Sequence, residues 1–124
     1  MRAQDVMTSP VVAVTADVPI RQVAALLADR GFTAVPVVDA AERLVGIVSE
    51  EDVVRGGYAG AATTAGGVMS TPVLCMDPDA PVTMIARVML EDHVRWLPIV
   101  SDHRLVGVVT RRDVLRAMAR SDRP

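Results

Sequence analysis

Apolar residues fall along this chain in two nearly matching series. Ile20, Val23, Ala24 and Leu27 recur at i, i+3, i+4 and i+7, and Val82, Ile85, Ala86 and Met89 do the same. That spacing predicts two helices, each burying one face. A short apolar run precedes each of them, at residues 11–14 and 73–76, and is expected as a strand. Pro19 and Pro81 suit a first helical turn, where a missing N–H is no loss, and Asp17 and Asp79 stand where a carboxylate can cap free amides. Gly31 is placed to end the first helix in a left-handed conformation. Its counterpart, His93, is expected as an exposed helix-end residue at the negative end of the dipole. Residues 34–38 and 44–48, then 96–100 and 105–109, are near-continuously apolar and predict strands buried on both faces. Short polar turns join each pair, and a last helix begins at Ser49 or Thr110. The unit is therefore β-α-β-β-α, written twice.

Residue identities repeat with the pattern. Val6-Met7-Thr8-Ser9-Pro10-Val11 returns as Val68-Met69-Ser70-Thr71-Pro72-Val73, an offset of 62 that also relates Pro36 to Pro98. From Gly46 to Gly107 and from Asp52 to Asp113 the offset is 61, so one residue is lost in the turn between. The sequence divides into a first copy over 1–57, a linker over 58–67, a second copy over 68–120 and a tail over 121–124, and the whole run from Gly56 to Gly67 is rich in Gly, Ala and Thr and reads as flexible. Two copies of one unit are expected to pack about a pseudo-twofold axis, leaving paired clefts between them.

Two segments carry candidate chemistry: Gly46-Ile47-Val48-Ser49-Glu50-Glu51-Asp52 and Gly107-Val108-Val109-Thr110-Arg111-Arg112-Asp113. Each sets a hydroxyl where a buried strand becomes a helix, with a carboxylate three residues on. That is a capping box, which stabilises a helix start without any ligand. The same place offers helix-terminal amides and positive partial charge to a phosphate, and an aspartate one turn along can accept hydrogen bonds from a ribose diol. One copy of such a pattern is weak evidence; two copies in register within the same frame are specific.

On these residues the chain resembles a tandem pair of cystathionine β-synthase (CBS) domains, the arrangement called a Bateman module. The likeness rests on the Val-Met-(Thr/Ser)-x-Pro-Val openings, the x-Pro-(Val/Ile)-Val strands and the Gly-x-x-(Ser/Thr)-x-x-Asp segments, and covers residues 2 to about 118. It implies an α+β fold of two pseudo-twofold-related repeats. It also implies binding of an adenosine-containing ligand (AMP, ADP, ATP, S-adenosylmethionine or a relative) in clefts between them, in a non-catalytic, energy-sensing role towards a partner protein. Carried onto this chain, Asp52 and Asp113 would hold ribose hydroxyls and Ser49 and Thr110 would meet phosphate. Pro10, Val11, Pro72 and Val73, with Ala34, Val35, Trp96 and Leu97 ahead of Pro36 and Pro98, would enclose the base. The alternative is an interaction dimer of the same fold with vacant clefts, its aspartates only capping helices.

Charge separates the copies. Glu50 and Glu51 follow the first hydroxyl and repel phosphate, whereas Arg111 and Arg112 follow the second and Arg95 lies nearby, so an anionic ligand is expected at Thr110 and Asp113. Trp96 either stacks on a purine there or fills the pocket.

The whole composition narrows the rest. The 124 residues carry a net charge of −2, which argues against general nucleic-acid binding. Arg112, Arg116 and Arg120 form one helical stripe, read as a solvated face. Cys75 stands alone, excluding an intrachain disulfide and a multi-cysteine metal site, and it is expected as a small buried hydrophobe. No metal set, nucleophile–base pair or glycine-rich phosphate loop appears, so an enzyme is not expected and no cofactor is required. No apolar run reaches the roughly 18–20 residues of a membrane span, and the polar N-terminus lacks a signal peptide's apolar stretch. The expectation is a cytoplasmic homodimer, without a fused enzyme or transporter, acting on an unidentified partner.

Overall fold

The computed structural model describes residues 1–60, 63–71 and 73–121. Its elements run α1 (Ala3–Val6), α2 (Ile20–Arg30), β1 (Ala34–Val38), β2 (Leu44–Ser49), α3 (Glu50–Ala59), α4 (Ala65–Val68), α5 (Val82–Glu91), β3 (Trp96–Ser101), β4 (Arg104–Thr110) and α6 (Arg111–Ser121). This is the α+β mixture that the two apolar series predict. Among the described residues no helix is long and apolar enough to cross a membrane.

The chain forms two compact units, and they do not follow sequence order. One holds residues 12–73; the other joins residues 1–11 to residue 74 onward. Each copy's body is thus completed by the opening segment of the other copy. The physical reason lies in the repeated motifs themselves. In the discontinuous unit, Thr8 and Val108 exchange backbone hydrogen bonds of 2.8 and 3.1 Å, laying the opening along β4. A side chain at Gly107 would collide with Met7, whose Cγ lies 2.9 Å from the position a Cβ would take. The continuous unit repeats the device. Ser70 and Ile47 exchange bonds of 2.8 and 3.2 Å, and Met69 lies over Gly46.

Each unit has its own core. In the continuous unit Val23 and Leu27 of α2 meet Val35 and Val37 of β1 and Val48 of β2. In the other, Ile85 and Met89 of α5 meet Leu97, Ile99 and Val109. Full burial of one such side chain is worth about 1.5–3 kcal/mol, which makes the apolar face of each helix its main anchor.

The expected strands at 11–14 and 73–76 shrink to one residue each. Val14 and Met76 make single parallel bridges, to Val37 and to Ile99. Asp17 and Asp79 do not cap; α2 and α5 have no side-chain cap, and each follows a proline in extended conformation. Arg2 instead pairs with Asp79 at 3.2 Å. The helix ends are as expected: Gly31 is left-handed at φ +67, and exposed His93 takes the same region at φ +56. Cys75 is exposed, because the segment holding it makes no continuous strand.

The missing residue between the copies is a change of turn. Asp102 and His103, both at positive φ, form a two-residue loop closed by the Ser101–Arg104 pair, as in a type I′ hairpin. The first copy needs a longer turn, with Glu42 alone at positive φ and Asp39 accepting from the Ala41 and Arg43 amides at 2.9 Å.

The Gly/Ala-rich segment is mostly built structure. Residues 56–59 are the last turn of α3, which Gly60 ends in left-handed conformation. Thr63 and Ala65 then hydrogen-bond with Ile20 and Val18 at 2.9 and 2.8 Å. A Cβ on Gly56 would strike Val68, and one on Gly66 would lie 2.9 Å from the Ala16 Cβ. These glycines permit close approach rather than flexibility. Residues 61 and 62, and most of the expected tail with Arg123, lie outside the described residues.

Candidate functional site

Asp113 is the more enclosed of the two aspartates, with 2% of its side chain exposed. Its Oδ2 accepts the Thr110 amide at 2.8 Å and the Thr110 hydroxyl at 3.0 Å, while its own amide donates to Thr110 Oγ1 at 3.2 Å. This reciprocal box is what a strand-to-helix corner requires and is worth about 1 kcal/mol to the helix. A buried carboxylate must satisfy its remaining lone pairs as well. The Thr8 hydroxyl lies 3.4 Å from both oxygens, and the Arg116 guanidinium donates to Oδ1.

Asp52 repeats the arrangement at 7% exposure. It accepts the Ser49 amide at 2.9 Å, donates its amide to Ser49 Oγ at 3.1 Å and accepts the Ser70 hydroxyl at 3.2 and 3.3 Å. Arg55 stands where Arg116 does, yet its closest partner is Glu51; it lies 3.6 Å from Asp52.

The exchange of openings decides which candidates meet. Pro10, Val11, Arg95, Trp96, Leu97, Pro98, Thr110, Arg111, Arg112 and Asp113 share one unit; Ala34, Val35, Pro36, Ser49, Asp52 and Val73 share the other. Pro72 lies outside the described residues. Half-buried Trp96 sits directly across the hairpin from Thr110, and Ala34 sits across from Ser49. Arg95, Arg111 and Arg112 are exposed, so their charge is presented to solvent at this corner.

Burial corrects part of the expected lining. Val35, Pro36, Leu97 and Pro98 are fully buried, and Ala34 is only 8% exposed. Their side chains are core: the resemblance sets them around a base, but in this chain they fill the interior of the two units. The helix-terminal phosphate site is also narrower than expected. The Arg111 amide already donates to the Arg95 carbonyl at 2.9 Å, as Glu50 does to Thr33 at 3.2 Å. Four residues at the site were not read as site residues from sequence: Thr8, Ser70, Arg55 and Arg116, the last named only in the helical stripe. Their signal is the repeat itself, a hydroxyl after each opening methionine and an arginine three residues after each aspartate.

A family model for the CBS domain matches residues 3–57 and again residues 65–120. The chain belongs to the CBS domain family. Hypoxic response protein 1 of Mycobacterium tuberculosis is 30% identical over 118 residues, covering 92% of this chain and 82% of that protein. The A-adding tRNA nucleotidyltransferase of Geobacter sulfurreducens is 36% identical over 117 residues, but those span 94% of this chain and only 13% of the enzyme. Among solved structures, CBSX2 in complex with AMP superposes with a TM-score of 0.91 at 27% identity, covering 98% of both chains. The CBS domain pair of MJ0100, in complex with 5′-methylthioadenosine and S-adenosyl-L-methionine, gives 0.86 at 26% identity, again over 98% of each. The two CBS repeats of this chain therefore share the fold of domain pairs solved with adenosine compounds.

Proposed function

We propose that this CBS pair is a regulatory, non-catalytic module that binds an adenosine-containing ligand and signals to a partner protein in the cytoplasm. The observation that supports it most is the corner at Asp113. A carboxylate able to accept a ribose diol stands beside Thr110, with Trp96 across the hairpin and Arg95, Arg111 and Arg112 exposed around it. In this reading Asp113 holds the ribose, Thr110 and the arginines meet phosphate, and the exposed part of Trp96 stacks on the purine with Pro10 and Val11 beside it. Stacking of this kind is worth about 1–3 kcal/mol per base in single-stranded nucleic-acid sites. The likeness to pairs solved with AMP and with S-adenosyl-L-methionine points to the same ligand class. Ser49, Asp52 and Val73 offer a second site, where Glu50 and Glu51 disfavour phosphate.

The module acts as a homodimer in this account. Leu90, Leu115 and Met118 on α5 and α6 are 76%, 60% and 61% exposed and line one apolar groove that a second copy covers. One observation favours a second reading, a dimer with vacant sites: the oxygens of Asp52 and Asp113 already have protein partners.

A thermal-shift panel with AMP, ADP, ATP, S-adenosylmethionine and NADH separates the two. A ligand at about 100 times its dissociation constant adds roughly 2.7 kcal/mol and raises the midpoint by several degrees. A flat panel on nucleotide-free protein would overturn the ligand-binding reading.

A further inference from the structure

We infer that Arg116 is a tethered competitor for Asp113, so that a ribose reaches this carboxylate only as the arginine leaves it. The inference rests on the reading of Asp113 as the ribose acceptor and adds the group that regulates it. Of the partners that saturate Asp113, two are fixed by the backbone. Thr110 belongs to the strand-to-helix corner, and Thr8 is held by its pair of backbone bonds to Val108. Arg116 alone sits at the end of a long side chain that is 52% exposed, while the carboxylate beneath it is 2% exposed. It is the one partner that can swing into solvent without disturbing the fold, and its departure frees Oδ1 to accept a hydroxyl.

The other unit shows why the competition is particular to Asp113. There Glu51, four residues before Arg55, takes the guanidinium and leaves it 3.6 Å from Asp52. At the matching position α6 carries Arg112, which repels Arg116 and turns it back onto Asp113. Among the described residues Asp113 is the only carboxylate paired with Arg116. One charge difference in the first helical turn thus decides whether the acceptor is covered. An anion drawn to Arg111 and Arg112 would also attract the released guanidinium, easing its exchange.

The test is calorimetric titration with adenosine, which has the ribose but no phosphate, in an Asp52→Ala background that leaves only the Asp113 site. Arg116→Ala is expected to tighten adenosine binding roughly threefold to fivefold, the upper end of what one part-exposed ion pair is worth. Arg116→Gln, which keeps the chain length, should do the same. Arg120→Ala removes an equal charge one turn further along α6 and should change nothing. Binding by the parent that Arg116→Ala leaves equal or weaker would overturn the competitor and leave the ligand-binding reading standing. Equal tightening by Arg120→Ala would reduce the effect to overall charge and overturn it too. If neither parent nor variant binds adenosine, the competitor is overturned, while the ligand-binding reading is decided by the nucleotide panel above.

Discussion

Asp52 and Asp113 hold the same place in their units, each inside a reciprocal box, each under a hydroxyl from an opening segment, each followed three residues later by arginine. What differs is the charge of the two residues between hydroxyl and aspartate: Glu50 and Glu51 in one unit, Arg111 and Arg112 in the other. The shared features are those the fold needs: a glycine under a methionine, a capped helix, a satisfied carboxylate. The differing ones are exposed and cost the fold little. Duplication thus preserved the architecture, while the proposed ligand preference rests on side chains free to diverge.

The methionine sockets test the shared part and carry the largest expected effect. Gly46→Val and Gly107→Val should each lower stability by about 2 kcal/mol, because added atoms meet Met69 or Met7 on a packed face. Chemical denaturation checks this; loss at only one glycine would break the equivalence of the units. Loss of either carboxylate should cost slightly less. Asp52→Ala and Asp113→Ala each remove a capping box and strand an opening hydroxyl, for about 1–2 kcal/mol.

Glycines in the joining segment sharpen the comparison with opposite signs. Gly66→Ala should destabilise by about 1 kcal/mol, since the new methyl meets Ala16. Gly57→Ala, with nothing within 4 Å and inside α3, should stabilise by about 0.5–1 kcal/mol. A flexible linker would leave both unchanged in a melting experiment.

The smallest effect separates the two turns. The Arg43 backbone hydrogen bond, with help from the Arg43 side chain, holds the Asp39 carboxyl below its ordinary value of 3.8. Its contribution to stability is therefore complete above that value and is lost as pH falls through the lower folded value. Asp39→Asn should flatten the acid side of the stability profile. Ser101, its counterpart in the second copy, has no such group, so Ser101→Ala should leave that profile unchanged.

Much of this was legible in the residues. Helices α2 and α5, both hairpins and both capping boxes follow from periodicity and from a hydroxyl three residues before an acid, which are local signals. The exchange of openings was not legible, because a segment's partner in a repeat protein is fixed by packing between distant residues; Met7 reads the same whether it rests on Gly46 or Gly107. Gly56 and Gly66 misled for the same reason, since close approach and flexibility require the same residue type. Arg116 was legible only as part of a stripe, and its bond to Asp113 depends on the side chain one turn before it.

In the function proposed above, the unit carrying Asp113 is the one that takes an anionic adenosine ligand. Calorimetric titration of AMP into wild type, Asp113→Ala and Asp52→Ala tests it most directly. Asp113→Ala is expected to weaken AMP binding at least tenfold, and Asp52→Ala to have a much smaller effect. Equal losses from the two variants, or a larger loss from Asp52→Ala, would contradict it.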